Sequence, residues 1–294
     1  MSAGCMLCPR RCGAARNNGE RGFCGVGAGA MVCRAAPHFG EEPCISGERG
    51  SGAVFFAGCN LRCVFCQNHS ISRGPAGREV EAGELREIFL RLRDRGVHNL
   101  NLVTPTQFSD VIAEALTGLE LGIPVVWNSS GYESVEQLRR LEGLVQVYMP
   151  DLKYADPALA KRYSGAEDYP AVALAALREM YRQTGPFVMD EAGLLRRGVL
   201  IRHLILPGAA ENSLRVMDLI EDHLDPRGVL FSLMSQYTPM PGLGRFPELE
   251  RRITAEEYAR CRSYLEFSAL EHGYYQELDS AGTELIPAFD GTGI

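Results

Sequence analysis

Residues 53–68 read AVFFAGCNLRCVFCQN, a short apolar run that leads directly into a loop with three cysteines. The run is rich in branched and aromatic residues, which is typical of a strand buried in a parallel sheet. Cys59, Cys63 and Cys66 cannot pair off as disulfides among themselves, and a closed metal site usually takes four protein ligands. The stretch therefore predicts a strand followed by a metal centre that keeps one coordination position open.

Apolar segments that alternate with amphipathic segments continue along the rest of the chain. The apolar segments predict six strands, at 53–58, 97–103, 123–128, 144–150, 198–206 and 228–234. The amphipathic segments predict six helices, at 81–95, 108–121, 133–142, 168–184, 211–223 and 254–272. This alternation indicates an α/β fold, either a barrel or an open parallel sheet.

Residues 1–50 differ from the rest in composition. They are rich in Cys, Gly and Arg, show little periodicity, and end near the Gly/Ser boundary GERGSG at 47–52. We expect a small, loop-rich, metal-binding extension at 1–50 and one large domain at 51–294.

Charge and hydropathy exclude several classes of protein. The formal net charge is −7, which argues against a nucleic-acid-binding surface. No stretch has the apolar length of a membrane span, and the first residues lack the apolar core of a signal peptide. We therefore expect a cytoplasmic protein with no membrane contact. Disulfides are rare in that compartment, so ten cysteines favour metal binding or redox chemistry.

Polar or small residues follow most of the predicted strands. These are TPTQ at 104–107, SSGY at 129–132, DLKY at 151–154 and SQYTP at 235–239, besides the cysteine loop. Because parallel α/β folds bind ligands at the carboxyl ends of their strands, these segments predict one shared site.

One of these segments and the fifth predicted strand offer candidate catalytic residues. Asp151 and Lys153 lie two residues apart, so an extended chain would place both on one side. Lys153 and Lys161 are the only lysines among 30 basic residues, which favours a specific need for an ammonium group; the alternative is an exposed salt bridge. His203 is a candidate for ribose contact or proton transfer, and the alternative is a structural histidine.

Together these motifs resemble a known family. Cys59-x3-Cys63-x2-Cys66 directly after the first strand resembles the radical S-adenosylmethionine (SAM) superfamily. CMLCPRRCG at 5–13, HFGEEP at 38–43, NSSGYE at 128–133 and DLKY further resemble the PflX-type proteins, named for pyruvate formate-lyase activation. The resemblance implies a partial (β/α)6 barrel and a [4Fe–4S] cluster whose open iron binds SAM.

The same resemblance implies an activity and its partners. Reductive cleavage of SAM would give a 5′-deoxyadenosyl radical that abstracts hydrogen from a substrate, with a glycyl-radical enzyme among the candidate protein substrates. A flavodoxin or ferredoxin would supply the electron. The alternative function is a non-catalytic iron–sulphur electron carrier or a metal-stabilised binding protein, against which the open coordination position argues.

The resemblance also implies which side chains contact SAM. The candidate cofactor-binding residues are Phe65, Thr104, Thr106, Asn128, Ser129, Ser130, Asp151 and Gln236. Thr104-Pro105-Thr106 departs from the Gly-Gly-Glu motif that the superfamily carries at this place. The alternatives are core packing for Phe65, and helix capping for the threonines and for Ser130.

Four further cysteines predict a second metal centre in the extension. Cys5-x2-Cys8-x3-Cys12-x11-Cys24 offers the four thiolates of a closed site. The spacing resembles a ferredoxin-type [4Fe–4S] ligand set, which we favour over structural zinc. Cys33, Cys44 and Cys261 are interpreted as thiols without a metal.

Overall fold

A computed structural model describes residues 4–74, 76–280, 282 and 286–294. Ten strands form one sheet. In chain order these are β1 Ala30–His38, β2 Ser51–Phe56, β3 Arg78–Val80, β4 Leu100–Val103, β5 Val125–Ser129, β6 Val147–Pro150, β7 Val188–Met189, β8 Leu195–Leu204, β9 Leu230–Met234 and β10 Gly273–Tyr275.

The sheet has a parallel centre and antiparallel additions at one side. Its order is β10-β9-β8-β6-β5-β4-β2-β1-β3, with β7 paired to β8. Strands β2, β4, β5, β6, β8, β9 and β10 run parallel to one another. The six predicted strands are thus confirmed, and so is the α/β fold with an open, mostly parallel sheet.

Nine helices are present in the described part of the chain. They are α1 Pro43–Ser46, α2 His69–Ser72, α3 Ala82–Asp94, α4 Ser109–Leu116, α5 Val135–Arg140, α6 Pro157–Ser164, α7 Tyr169–Thr184, α8 Ala210–His223 and α9 Ala255–Glu266. Capping boxes start two of them, with Glu81 and Glu84 at α3 and with Thr254 and Glu257 at α9. Every described helix is too short or too polar to span a lipid bilayer.

The six predicted helices correspond to α3, α4, α5, α7, α8 and α9, although α9 ends at Glu266 rather than near residue 272. Helix α6 was not predicted. Its signals were present: Asp156 caps the first turn through the amide of Ala158 at 2.7 Å, Pro157 starts it, and Gly165 ends it in a left-handed conformation.

Strand β1 was also missed, because residues 1–50 were interpreted as loop-rich. It pairs antiparallel with both β2 and β3. A register shift between Val32 and Arg34, together with Pro37, breaks the period-two pattern that would have indicated a strand. The boundary between an extension and a main domain at 50/51 stays a prediction, and β1 lies before that boundary within the common sheet.

Helix α1 closes the sheet interior near the amino ends of its strands. Cys44 and Ile45 are buried against Val126, Val147 and Leu230, which belong to three different strands. The side-chain amide of Asn99 holds α1 in place by donating to the Ile45 carbonyl at 2.7 Å. The space that remains open is therefore at the carboxyl ends of the strands.

Candidate active site

A cavity of about 510 Å³ lies at the carboxyl ends of the parallel strands. It is lined by residues from the ends of these strands, from the loop after β1 and from β10. The lining includes most of the predicted site residues, namely Cys59, Cys63, Phe65, Cys66, Thr104, Asn128, Ser129, Ser130, Asp151, Lys153 and Gln236. One shared site at these strand ends is what the sequence led us to expect.

The three-cysteine loop is anchored at both ends by backbone hydrogen bonds. The amide of Gly58 donates to Ile71 at 2.8 Å, and the amide of Val64 donates to Tyr163 at 2.9 Å. Gly58 has φ +74°, and a Cβ added there would come within 2.7 Å of the Cys24 carbonyl oxygen. Glycine is thus required where the loop approaches the amino-terminal segment.

The three thiols of this loop lie close together and are largely buried. Burial, reinforced by the neighbouring Cys63 and Cys66 thiols, raises the pKa of Cys59 to about 12. Burial and Cys63 likewise raise the pKa of Cys66. The hydroxyl of Ser164 donates to the Cys63 sulphur at 3.2 Å.

The donor set fits an iron–sulphur cluster better than a single ion. Within the described ranges, no three Cys, His, Asp or Glu residues converge on one ion. A cubane does not require such convergence, because each thiolate binds a different iron corner. Three adjacent thiols on a cavity wall are a suitable donor set for three corners.

Asp151 and Lys153 form an ion pair inside the cavity, at 2.6 Å between Nζ and Oδ2. Their side chains are only 16% and 18% exposed, so the alternative of an exposed salt bridge is wrong. Burial alone would raise the pKa of Asp151, but Lys153 and Arg202 outweigh it and lower that pKa below its usual value. Lys153 lines the same cavity as Cys63 and Cys66, and after Asp151 these two thiols also favour its charged form.

His203 does not line the cavity, so the structure gives no support to its candidate catalytic role. It is 1% exposed; its Nδ1 donates to the Leu152 carbonyl at 2.7 Å, and its Nε2 lies 2.8 Å from the Ser213 hydroxyl. Strand alternation turns the adjacent Arg202 toward the cavity instead. His203 thus fixes the backbone between Asp151 and Lys153.

Thr104 and Thr106 have different environments. Thr104 lines the cavity and adopts φ +58°, which is unusual for a β-branched residue and is often found at functional sites. Thr106 instead donates to the buried Glu133 carboxylate at 2.7 Å, beside the Trp127 indole at 3.1 Å. The structure therefore places Thr106 outside the cavity, as part of the support for a buried carboxyl group.

The loop after β5 contacts both the cysteine loop and the end of β6. Ser130 Oγ lies 3.4 Å from the Asn60 amide oxygen, next to Cys59. The hydroxyl of Tyr169 lies 2.8 Å from the carbonyls of both Ser130 and Asp151, and it accepts from the Lys153 amide at 2.9 Å. These bonds fix the predicted cofactor-binding segment relative to the ion pair.

Phe65 both packs in the core and lines the cavity. Its ring makes edge contacts with Tyr154, Tyr163 and Tyr237 at centroid distances of 6.2–6.4 Å. The contacts of Phe65 are compatible both with core packing and with contact to SAM.

Gln236 lines the cavity and accepts a hydrogen bond from the Gln276 side chain at 3.1 Å.

The sequence reasoning missed three charged residues of the cavity, namely Glu41, Glu42 and Arg202. Arg202 forms ion pairs with Glu41 at 2.9 Å and with Asp151 at 3.2 Å, and donates to Asn128 at 2.6 Å. The two glutamates belong to the HFGEEP motif, which the sequence marks but does not locate. The packing of segment 38–43 against the end of β8, which no local pattern encodes, brings Glu41 and Arg202 together.

The four cysteines of the amino-terminal segment also lie near one another. Burial raises the pKa of the Cys24 thiol, and the nearby thiols of Cys5 and Cys12 raise it further. Burial likewise raises the pKa of Cys8, to which the thiols of Cys24 and Cys5 add. A Cβ added at Gly22 would lie 3.2 Å from the Cys12 sulphur and 3.4 Å from the Cys24 sulphur. The four thiols are a plausible donor set in chemical terms, and a metal centre there stays a prediction.

Comparison with known proteins gives three kinds of match. The family model described as the radical SAM superfamily matches residues 53–217. An uncharacterised protein of Methanocaldococcus jannaschii, MJ0674, is 31% identical over an alignment of 267 residues that covers 87% of this chain and 72% of that protein. A second uncharacterised protein of that organism, MJ0808, is 29% identical over an alignment of 155 residues that covers 47% of this chain and 46% of that protein.

Solved structures of SuiB from Streptococcus suis are similar in fold. The form bound to S-adenosylmethionine has a TM-score of 0.53 at 16% identity, covering 74% of this chain and 48% of SuiB. The form bound to precursor peptide SuiA has a TM-score of 0.52 at 16% identity, with 74% and 46% covered. This chain thus spans about half the length of SuiB, and at this identity the likeness concerns the fold alone.

Proposed function

The chain belongs to the radical SAM superfamily, and we propose on that basis that it binds a [4Fe–4S] cluster through Cys59, Cys63 and Cys66 and cleaves SAM reductively. The observation that carries the proposal is the placement of these thiols on the wall of the cavity, at the end of the first parallel strand. When bound, the cluster and SAM supply a 5′-deoxyadenosyl radical, which takes a hydrogen atom from a substrate.

Lys153 and Asp151 are our candidates for orienting SAM. Lys153 lines the same cavity as Cys63 and Cys66, where its ammonium can donate a charge-assisted hydrogen bond to a carboxylate ligand. Asp151 holds that ammonium at 2.6 Å and is itself held by Arg202. The pair thus has a fixed position before any ligand binds, and a fixed position lowers the entropic cost of binding.

The remaining cofactor contacts proposed are polar groups of the strand ends. Asn128, Ser129 and Ser130 line the cavity at the end of β5, and Thr104 presents a hydroxyl from a strained backbone position. Phe65 provides an aromatic surface for the adenine, and Gln236 provides a polar group just after β9.

A second iron–sulphur cluster at Cys5, Cys8, Cys12 and Cys24 is a further part of the proposal. The carbonyl of Cys24 accepts from the amide of Cys59, so the two cysteine groups are in contact through one hydrogen bond. An electron donated by a flavodoxin or ferredoxin would then have a short route to the cavity.

A protein or peptide is our proposed class of substrate. SuiB, which has the same fold, binds a precursor peptide. The glycyl-radical enzyme that the resemblance to PflX-type proteins implies is one such protein, and its support is that resemblance alone.

The test is formation of 5′-deoxyadenosine by the anaerobically reconstituted, reduced protein. Cys63→Ala should abolish the product, whereas Cys261→Ala, at a buried thiol between α8 and α9, should retain it. A reconstituted protein that takes up iron yet forms no 5′-deoxyadenosine would favour the electron carrier instead.

A further inference from the structure

The charged residues at the bottom of the cavity do not balance. Among the described lining residues, Glu41, Glu42 and Asp151 are acidic, and Lys153 and Arg202 are basic. One carboxyl group therefore lacks a cation from the protein, and the contacts identify which one.

Both cations are already engaged by other groups. Lys153 pairs with Asp151 at 2.6 Å. The guanidinium of Arg202 uses Nε for Asp151, Nη1 for Glu41 and Nη2 for Asn128, at 3.2, 2.9 and 2.6 Å. Glu41 in addition accepts from the side-chain amides of Asn101 and Asn128, at 3.0 and 3.3 Å.

Glu42 is the carboxyl group left over. Its Oε2 is buried and has no hydrogen-bond partner within the described residues. Its backbone is held in place, because its carbonyl accepts hydrogen bonds from the amides of Ile45 and Ser46 in the buried helix α1, at 2.8 and 3.0 Å. A buried carboxyl oxygen without a donor is destabilising, so its presence in a cavity wall points to a donor that arrives with a ligand.

Glu42 is also separated from the cysteine loop by other charged groups. Lys153 is the charged group nearest the cysteine loop in these interactions, and it pairs with Asp151. Asp151 pairs in turn with Arg202, and Arg202 interacts electrostatically with Glu42. Glu42 is thus the last charged group reached from the loop along these contacts. Leu204 and Met234 line the same cavity and offer apolar contacts to an aliphatic chain.

We propose that Glu42 binds a cationic group of the substrate, a protonated amine or a guanidinium carried on an aliphatic stem. The inference rests on the proposed function in one respect, that the occupant is the substrate of the same site. Burial raises the pKa of Glu42 above its ordinary value, against the opposing effects of Arg202 and the Ser232 hydroxyl, so ionisation of this carboxyl group is favoured only when a cation arrives. An ionised carboxylate only accepts hydrogen bonds, and a cation supplies both the donor that Oε2 lacks and the opposite charge.

The test compares two probes on the reconstituted full chain in the presence of SAM, by titration calorimetry. N-acetyl-lysine amide and N-acetyl-norleucine amide share the aliphatic stem and differ in the terminal ammonium. The lysine probe should bind about tenfold to hundredfold more tightly. Glu42→Gln should remove this preference, and Glu48→Gln, which removes an exposed charge from the turn after α1, should keep it.

Three results would overturn the inference. They are equal binding of the two probes by the unmodified chain, an unchanged preference in Glu42→Gln, and a loss of SAM affinity in that variant as large as the loss for the lysine probe. The first needs no variant, so it decides even if Glu42→Gln does not fold; Glu42→Asp then serves as a second variant and should keep part of the preference. Formation of 5′-deoxyadenosine by the unmodified chain tests the proposed function separately.

Discussion

The backbone carbonyl of Cys24 accepts a hydrogen bond from the amide of Cys59, with 3.4 Å between oxygen and nitrogen. Each residue belongs to a different group of cysteines, four in the amino-terminal segment and three in the loop after β2. The two groups thus meet through the backbone of one cysteine from each, and Gly58 makes this approach possible.

The first prediction is that the amino-terminal cysteines bind metal independently of the cavity. A protein with Cys59, Cys63 and Cys66 all replaced by Ala should retain roughly four irons per chain after anaerobic reconstitution. Adding Cys24→Ala to it should remove this iron. Stoichiometric zinc would decide for a structural site, and no bound metal in the triple variant would refute the second centre.

The second prediction concerns Gly58→Ala. The new Cβ would come within 2.7 Å of the Cys24 carbonyl, in a backbone conformation that costs a non-glycine residue about 1–2 kcal/mol. We expect lower thermal stability and lower iron loading. Gly96→Ala is the matched control, because Gly96 has φ +78° with nothing within 4 Å of the added atom. Equal loss of stability in the two variants would contradict the close contact.

The third prediction is that Lys153→Met weakens SAM or substrate binding by about tenfold to hundredfold, since it removes one charge-assisted hydrogen bond. The fold should persist, because Asp151 keeps Arg202 as a partner. Lys153→Arg should restore little, since a planar fork does not replace a compact ammonium. Asp151→Asn should act on the same site, so the double variant should cost less than the sum of the two.

Binding titrations on variants with intact cluster spectra measure this effect. If Lys153→Met and Asp151→Asn leave SAM affinity and turnover unchanged and lower only the melting temperature, the ion pair is structural.

The fourth prediction is a pH dependence of stability due to His203. Burial lowers the pKa of His203 to about 4, whereas an unfolded chain protonates its histidines near 6.5. The stabilisation is therefore complete above about pH 6.5 and is lost as the pH falls toward 4, by about 3 kcal/mol at most. The free energy of unfolding, measured by urea titration at several pH values between 4 and 7, should depend less steeply on pH for His203→Gln than for the exposed control His223→Gln. Equal slopes would contradict a buried neutral imidazole.

The central fold and part of the site were predictable because local signals encode them. Short β-branched runs marked six parallel strands, and the topology of parallel strands then brought Cys59, Asn128, Asp151 and Lys153 to one edge. The residues that were missed depend on tertiary placement. Which of Arg202 and His203 faces the cavity depends on strand phase, and one residue of error reverses the answer.

The amino-terminal region was the least predictable part. Strand β1 has a bulge and a proline, so its period-two pattern is interrupted, and its partners lie elsewhere in the chain. Glu41 and Glu42 reach the cavity only because the segment after β1 turns into the sheet interior. Nothing in residues 38–43 alone specifies that destination.

The position of α1 and the segment before it has a consequence for how this protein can diversify. The bottom of the cavity is supplied by a segment that precedes the first parallel strand, while the cysteine loop and the Asp151–Lys153 pair are supplied by the strands themselves. Glu41 in that segment holds Arg202, and through it Asp151, whereas its neighbours do not take part in this contact. Laboratory evolution for new acceptors would best begin with a library confined to residues 38–40 and 42, which leaves the ion pairs of Glu41 and Arg202 in place.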